Sequence, residues 1–373
     1  MTNMKYFYSL LAIGFLLTSC KNKTAFVRNV EAIDDFSAYE AAASEQSSIS
    51  NKITASAETD PVQSPTLGSD SADDPAIWYN EAAPEQSVIF ATNKVEGLYS
   101  YNLEGKQLQR IPYAKVNNID IRQGVRFDCQ TLDLLAGSNR SNNAIDIFII
   151  AADGSINEHP DHRILLGRLQ PYGYGLYMPN DSTLYSLLND KYGNVVQHHI
   201  TMQGDSLKGK MVRRFQLPTQ AEGIMADDER GMVYIGEEQT GIHTFHGDPS
   251  SGKKTAIIKE STIQNKNIRF DIEGIAFLPP RYMVASSQGN FTYAIFDLES
   301  EKYITSFSIK DGPATDGAEE TDGLEILRKP MGINYPEGIL VVQDGFNRDD
   351  EQLQNQNFKI IDLRKVLNLL PLD

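Results

Sequence analysis

Residues 88–101 of the chain read VIFATNKVEGLYSY. An apolar run rich in β-forming residues ends in the polar residues Asn93 and Lys94, a short turn follows, and a second run begins at Leu98. Side chains alternate with period two along this second run, which indicates a strand with one buried face. The stretch therefore predicts two strands that are joined by a short turn.

The same plan returns five more times along the chain. The six copies of the first strand contain, in order, Ile89, Leu134, Leu184, Val233, Met283 and Leu340. The steps between them are 45, 50, 49, 50 and 57 residues, which is the length of a four-stranded propeller blade. Six copies predict an all-β fold, a six-bladed β-propeller with a central channel. Two packed β-sandwiches, the rival architecture, would not produce six units in near-constant register.

The composition excludes several kinds of partner. The chain has 34 Lys and Arg against 50 Asp and Glu, a formal net charge of −16. This charge repels nucleic acid and anionic membrane surfaces, so neither is expected as a partner. A polyanionic substrate would need a cation to bridge it to the protein. Of the two cysteines, Cys20 lies in the N-terminal segment, so Cys129 has no disulfide partner in the mature domain.

The N-terminal segment has the three parts of an export signal. Lys5 gives a basic start, residues 10–17 form an apolar run too short to span a membrane comfortably, and small residues precede Cys20. Residues 17–20, LTSC, resemble a lipobox, in which the cysteine becomes the lipidated first residue of the mature protein. We therefore expect a signal peptide at 1–19 and a cell-envelope lipoprotein at the outer membrane, which contacts the membrane only through its lipid anchor. Ordinary secretion with a fortuitous cysteine is the alternative.

Two further segments make up the rest of the chain. Residues 20–65 are rich in Ala, Ser, Glu, Thr and Gln, so they predict a flexible tether in which residues 49–57 can be partly ordered. Residues 66–373 form the propeller domain, and residues 362–370 near its end have helical spacing, although a last strand and tail fit as well. A channel site built within one chain needs no second subunit, so we expect a monomer.

Repetition places equivalent positions on a ring around one axis, so the polar ends of the six first strands should converge. They are basic in the first three units and acidic or amide in the others: Lys94, Arg140, Lys191, Glu237-Glu238, Gln288 and Asp344. One side of the channel mouth would then carry cations and the other side carboxylates. Such a bipolar site suits a phosphate ester held by Lys and Arg beside metal ions held by carboxylates.

A second set of acids lies just before the predicted innermost strands. Their segments are residues 72–78 (ADDPAIW), 221–224 (AEGI), 271–275 (DIEGI) and 321–325 (TDGLE). In each, an acid precedes Gly or Pro and then an apolar strand start, so its side chain is expected at the strand mouth. Oxygen donors without cysteine and almost without histidine favour calcium over zinc or copper. Any single acid-glycine pair can be explained as a turn. Because so many acids around one channel would repel each other, the full set favours bound metal ions that neutralise them.

These segments resemble, in the same order, the motifs of the β-propeller phytases of the 3-phytase type. The matching motifs are residues 73–78, 117–122, 138–141, 222–229, 234–238, 271–274, 285–290, 321–323 and 342–345. The resemblance covers residues 68–358, and the six-bladed fold of that family agrees with the repeat count. It implies a secreted, calcium-dependent phosphatase whose substrate is myo-inositol hexakisphosphate (phytate), bound as its calcium complex.

The resemblance also implies roles for individual residues. Metal ligands, or partners of water held by the metal, would be Asp73, Asp74, Glu222, Glu238, Asp271, Glu273, Gln288 and Asp322. Phosphate oxygens would be held by Lys94, Arg140, Tyr172 and Lys191. Glu222 or Glu273 would orient a water activated by calcium for in-line attack on phosphorus. The basic residues Lys94, Arg140 and Lys191 complete the catalytic set.

Two positions depart from the family pattern. Val95 stands where many members have a second lysine, and Tyr192 where a glutamate often follows the lysine. One phosphate contact and one candidate calcium ligand are therefore missing, so we expect altered substrate preference and calcium affinity. Two other functions stay open, a non-catalytic, calcium-stabilised binding propeller at the cell surface and a calcium-dependent esterase or lactonase-like propeller hydrolase.

Overall fold

The computed structural model describes residues 36–128, 130–349 and 352–371. The predicted signal peptide, the predicted lipidation site Cys20 and the first part of the predicted tether lie outside these residues. In the described part of the chain no helix is long and apolar enough to cross a membrane. The chain forms six sheets of four or five strands around a central channel, which confirms the predicted all-β, six-bladed propeller.

A helix and two short strands precede the first blade; α1 is Phe36–Ser48, β1 is Lys52–Thr54 and β2 is Ala57–Glu58. Blade one contains β3 (Ala72–Trp78), β4 (Val88–Asn93), β5 (Gly97–Tyr101) and β6 (Gln107–Pro112). Blade two contains β7 (Val116–Phe127), β8 (Gln130–Asn139), β9 (Ala144–Ile150) and β10 (His162–Leu165). Blade three contains β11 (Tyr174–Asn180), β12 (Thr183–Asn189), β13 (Asn194–Gln203) and β14 (Ser206–Gln216). Blade four contains β15 (Ala221–Asp227), β16 (Met232–Glu237), β17 (Gly241–His246) and β18 (Ala256–Ile257).

The last two blades each use a strand from the N-terminal segment. Blade five contains β19 (Ile272–Leu278), β20 (Tyr282–Ser287), β21 (Thr292–Asp297) and β22 (Lys302–Lys310), joined by β1. Blade six contains β23 (Leu324–Leu327), β24 (Ile339–Asp344) and β27 (Asn357–Asp362), joined by β2. A small hairpin of β25 (Arg348–Asp349) and β26 (Gln352–Leu353) precedes β27, and the short helix α2 (Arg364–Leu367) follows it. Single 3-10 turns occur at Pro84–Gln86, Pro249–Ser251, Lys259–Ser261 and Gln288–Asn290.

Contacts between neighbouring blades close the ring. Each innermost strand contacts the next one, and the innermost strand of blade six, β23, contacts β3 of blade one. Apolar side chains fill the space between facing sheets; between blades one and two, Trp78, Phe90, Ile121 and Phe148 pack together. Full burial of one such side chain contributes about 1.5–3 kcal/mol. Packing between sheets therefore fixes the positions at which the six innermost strands begin beside the channel.

The structure differs from the predicted tether over residues 36–65. Strand β1 pairs in parallel with β22, with Lys52 opposite Ser308, and β2 pairs antiparallel with β27, with Ala57 opposite Ile360. Because β2 supplies the fourth strand of blade six, the two ends of the propeller chain close the ring together. Strand β1 lies within residues 49–57, where partial order was allowed, but the pairing itself was not predicted, because the strands are only two or three residues long and are held by backbone pairing with an open sheet edge.

A buried lysine fixes this closure. Lys359 on β27 is fully buried, and its ammonium contacts the carboxylates of Glu58, Asp316 and Asp344 and Oδ1 of Asn347. Burial opposes the charge, but the three carboxylates raise the pKa of Lys359 above its usual value. The sequence placed Asp344 on the ring of polar strand ends at the channel mouth, whereas the structure uses it in this cluster.

Replacing Lys359 by Met should leave the surrounding carboxylates without a counter-charge. We expect Lys359→Met to lower the free energy of unfolding by about 3–5 kcal/mol, the usual cost of removing one partner of a buried ion pair. Urea unfolding of the purified protein measures the loss. The matched control combines Lys359→Met with Asp316→Asn, which removes one repelling charge and should regain part of the stability. An unfolding curve of Lys359→Met that overlays the wild type would contradict the assigned role.

Candidate active site at the channel mouth

Four innermost strands bulge at residues of the candidate site. In β3, β7, β15 and β19 two residues face a single residue of the neighbouring strand; the pairs are Asp73-Asp74, Asn117-Asn118, Glu222-Gly223 and Glu273-Gly274. A bulge kinks the strand and interrupts the regular alternation of side chains. Asp73, Asp74, Glu222 and Glu273 thus lie within the first three residues of their strands, set apart from the apolar side chains that follow, whereas Asp271 and Asp322 precede β19 and β23 as the sequence predicted.

Glycine at these positions lets neighbouring strands come close together. A Cβ atom on Gly223 would lie 2.3 Å from the carbonyl oxygen of Glu273, and one on Gly323 would lie 2.6 Å from that of Asp73. The N–H of Gly323 donates to the same Asp73 oxygen at 2.9 Å. A glycine therefore follows the acid because the next blade occupies the space of a side chain. Repeated turn chemistry, the plainer interpretation of the acid-glycine pairs, does not account for this packing.

Three buried glutamates meet at the channel mouth. Glu222, Glu238 and Glu273 each offer a carboxylate oxygen, and these oxygens lie within 4.8 Å of one another. Burial and repulsion by Glu222 raise the pKa of Glu273 well above its usual value, and burial raises the pKa of Glu238 to about 7. Asp73 is also buried, and its pKa is raised mainly by burial. So much negative charge out of contact with water requires a cation or protons to neutralise it.

A lysine lies among these acids. Nζ of Lys94 is 2.6 Å from a carboxylate oxygen of Asp70, 3.1 Å from one of Asp73 and 2.8 Å from one of Asp322. The amide of Gln288 also donates to Asp322, at 2.7 Å. Burial opposes the charge of Lys94, but the carboxylates raise its pKa well above the usual value. The sequence grouped Lys94 with the phosphate-binding cations, whereas the structure places its ammonium on the carboxylate side.

Arg140 and Lys191 share one aromatic ring on the other side of the mouth. The centroid of the Tyr172 ring is 5.8 Å from Cζ of Arg140 and 4.3 Å from Nζ of Lys191. Both cationic side chains are exposed, and Tyr172 is half-buried. Burial and the charges of Glu222 and Glu273 raise the pKa of Tyr172, so its phenol stays protonated at neutral pH. The ring of Tyr172 thus contacts two accessible cations.

Asn117 connects the two sides of the mouth. Its Oδ1 accepts a hydrogen bond from Nη1 of Arg140 at 2.8 Å, and its Nδ2 donates to Oε1 of Glu222 at 2.6 Å. The side chain is fully buried. Asn117 lies in one of the motifs that resemble the phytases, but the sequence did not predict it as a site residue, because an uncharged amide adds nothing to a charge pattern. Its place at the mouth of β7, equivalent to that of Asp73 in β3, is the signal that could have found it.

Two acids adjoin the cluster without having been predicted. Asp70 pairs with Lys94, and Glu320 has a pKa of about 8, raised by burial and by repulsion from Asp322 and Asp70. Neither acid occupies a repeated position, because Asp70 precedes the first blade and Glu320 lies in the loop before β23. The register of the blades therefore carries no signal for either.

The other predicted positions lie at the edges of the cluster or away from it. Asp271 is partly exposed just before β19. Oδ2 of Asp74 accepts from the backbone N–H of Ile119 at 3.0 Å, and Asp74 lines a cavity of about 500 Å³ in the channel. Glu237, the neighbour of Glu238, contacts Nε2 of His243 at 2.8 Å and does not belong to the cluster.

The donor set fits calcium. Oδ2 of Asp73 and Oε2 of Glu273 are buried acceptors without a hydrogen-bond donor in the described part of the chain. Carboxylate and amide oxygens are the ligands that calcium prefers. The residues that could hold such ions are Asp73, Glu222, Glu238, Glu273 and Asp322, with Asp271 and Gln288 at the rim.

A six-bladed propeller with a buried acid cluster and a pair of accessible cations at one mouth defines a class of protein whose channel site offers oxygen ligands for a metal ion beside cations that suit an anionic group. A family model described as Phytase matches residues 23–371. A 3-phytase of Bacillus subtilis (strain 168) is 40% identical over 328 residues, which is 84% of this chain and 84% of that protein. The chain belongs to the phytase family. It is therefore an enzyme, a phosphoric monoester hydrolase.

Solved structures share the architecture at low identity. The structure of a luciferin-regenerating enzyme aligns with a TM-score of 0.51 and 12% identity, covering 79% of this chain and 92% of that chain. At this identity the likeness shows the propeller fold alone.

The raised pKa values predict how stability depends on pH in the presence of a chelator. Because burial opposes their charge, Asp322, Glu238 and Glu320 have pKa values of about 6, about 7 and about 8 in the folded protein. The same groups titrate near pH ~4 in the unfolded chain. Between about pH 5 and pH 8 the folded state holds more protons, so its stability should fall as pH rises. We expect the Tm in EGTA to drop by roughly 5 °C across this window, measured by scanning calorimetry.

Two comparisons make this result specific to the acid cluster. Saturating calcium should abolish the fall, because the cation replaces the protons. Glu238→Gln in EGTA should flatten it, because one of the titrating groups is gone. A Tm in EGTA that rises steadily from pH 5 to pH 8 would show that the carboxylates are not held at raised pKa values.

Proposed function

We propose that the protein is a calcium-dependent phytase that hydrolyses the phosphate monoesters of myo-inositol hexakisphosphate. The observation that carries the proposal is the hydrogen-bonded path from Arg140 through Asn117 to Glu222. This path holds a cation that suits phosphate next to the buried carboxylates that suit calcium. Membership of the phytase family and the 40% identity to a 3-phytase support the same substrate class.

The cations of the mouth bind the phosphate group that is to be removed. Arg140 offers a planar guanidinium that matches two phosphate oxygens, and Lys191 adds a second positive charge next to it. Tyr172 contacts both cations and keeps their positions related. Calcium, when bound, would neutralise further phosphate charge and lower the pKa of a neighbouring water.

The glutamates provide the proton acceptor. Glu222 is fixed by Asn117, and Glu273 lies within the same cluster. A water that donates a hydrogen bond to one of these carboxylates gives up its proton as its oxygen bonds to phosphorus. The inositol oxygen leaves on the opposite side and takes a proton from solvent, so no covalent phosphoenzyme forms.

Lys94 acts on the metal ligands in this proposal. Burial raises the pKa values of Asp73 and Asp322, and the charge of Lys94 lowers both. The lysine thereby favours the ionised carboxylates that calcium needs. A direct contact of Lys94 with substrate phosphate would require its ammonium to leave these acids.

Phosphate release from phytate by the mature protein tests the proposal. We expect release that needs added calcium, and a fall in kcat/KM of about 100-fold or more in Glu222→Gln and in Arg140→Ala. Asn117→Ala should also lower kcat, because it unlinks the two groups without removing either. Lys210→Ala, an exposed lysine on β14, is the charge-matched control and should retain wild-type activity.

The alternatives give distinct outcomes in the same assay. A folded wild type that binds calcium and phytate but releases no phosphate would support the non-catalytic binding propeller. Hydrolysis of carboxylic esters or lactones without phosphate release would support the esterase.

We also propose that the mature protein is a cell-envelope lipoprotein, anchored at the outer membrane through Cys20. The support is the string LTSC at residues 17–20 behind an apolar run. In a Gram-negative host the wild type should incorporate labelled palmitate and sediment with membranes, and Cys20→Ser should do neither. Equal membrane recovery of both would contradict lipidation.

A further inference from the structure

Helix α1 packs against loops that lead to the candidate metal ligands. Ala42 on this helix is buried against Phe291, Phe346 and Leu353. The ring of Tyr39 is 5.6 Å from that of Phe291 and 5.3 Å from that of Phe346, measured between centroids. The helix therefore occupies a defined place beside the channel mouth, although its sequence was predicted to belong to a tether.

One glutamine on this helix joins two of the loops. Nε2 of Gln46 donates to the carbonyl oxygen of Phe291 at 3.2 Å and to that of Ala318 at 2.9 Å. Phe291 follows the 3-10 turn Gln288–Asn290, and Ala318 begins the run that ends at Asp322. A single side chain thus ties together the loops that carry Gln288 and Asp322.

Two further contacts of the helix reach the same region. The hydroxyl of Tyr39 donates to Oε2 of Glu319 at 2.9 Å, three residues before Asp322. Glu45 pairs with Arg269 at 3.1 Å, two residues before Asp271. The helix therefore contacts each of the three loops that carry the candidate metal ligands Asp271, Gln288 and Asp322.

Both loops joined by Gln46 contain a strained residue. Phe291 has φ of 53° and Glu320 has φ of 52°, a left-handed conformation that costs a non-glycine residue about 1–2 kcal/mol. Such conformations persist only where surrounding contacts hold them. Gln46 bonds the carbonyl of Phe291 itself and reaches the other loop two residues before Glu320. The contacts of the helix thus oppose relaxation of the two loops.

The amide of Gln288 donates to Oδ1 of Asp322 at 2.7 Å, so the positions of these two side chains depend on the separation of the two loops. We propose that α1 is a positioning element for the metal site, and that Gln46 is its positioning residue, which sets the spacing of Gln288 and Asp322. The inference rests on the proposed function in taking calcium as the ion. It adds that calcium affinity is set in part by helix α1, which contains none of the candidate ligands named above.

Calcium titration calorimetry of the full mature protein tests this role. In Gln46→Leu, which keeps the size of the side chain but removes both donors, we expect calcium binding to weaken roughly threefold to tenfold. The calcium concentration for half-maximal phosphate release should rise by the same factor, while kcat at saturating calcium stays unchanged. Ser47→Ala, an exposed position on the same helix, is the matched control and should bind calcium like the wild type.

The outcomes separate this inference from the proposed function. A wild type that takes up no calcium would overturn the calcium requirement itself. A wild type that binds calcium, with Gln46→Leu binding it equally well, would overturn the positioning role alone. A lower Tm of Gln46→Leu in EGTA with unchanged calcium affinity would likewise overturn it, because the glutamine would then serve stability only.

Discussion

The close approach of the inner strands at the channel mouth is the constraint on which the site depends. Because a glycine follows the acid, the backbone of the next blade can occupy the space of a side chain, as at Gly223 and Gly323. The bulges in β3, β15 and β19 remove Asp73, Asp74, Glu222 and Glu273 from the regular alternation. The carboxylates are therefore held close together by backbone packing and cannot move apart to reduce their repulsion. A fixed acidic site of this kind binds a cation without the entropic cost of first ordering its ligands.

Closure of the ring holds the inner strands in this packing. The N-terminal segment contributes to it in two places. Strand β2 completes blade six, where Glu58 joins the acids around Lys359. Upstream of it, α1 contacts the loops beside the candidate metal site. The segment between the membrane anchor proposed at Cys20 and the propeller is thus part of the folded domain from residue 36 onward. Tension or truncation in this segment would act on the same contacts that order the site.

The repeat made most of the fold predictable, because a blade needs the same apolar strands each time. It also predicted acids and cations at one channel mouth, but it grouped Lys94 with the phosphate-binding cations and placed Asp344 on the ring, whereas the structure pairs Lys94 with carboxylates and Asp344 with Lys359. In the N-terminal segment the sequence allowed only partial order at residues 49–57; the strand pairing there could not be predicted, since backbone pairing at a sheet edge leaves almost no trace in side-chain composition. Asn117 was missed because it carries no charge. Lys94 pairs with Asp73 and Asp322, which the repeat did predict, and with Asp70, which lies outside the repeat and left no signal in the register.

The neutral link at Asn117 explains how acid and cation can lie side by side without cancelling each other. If Arg140 were paired directly with Glu222, the guanidinium would lose the donors that phosphate needs and the carboxylate would lose its capacity as a ligand or proton acceptor. An amide accepts from one group and donates to the other, so it transmits position while leaving both charges in place. Tyr172 acts in a similar way, because its ring contacts two cations and leaves their N–H donors available for phosphate. A protein of net charge −16 can in this way keep a small, preorganised patch of positive charge at the edge of its own carboxylates.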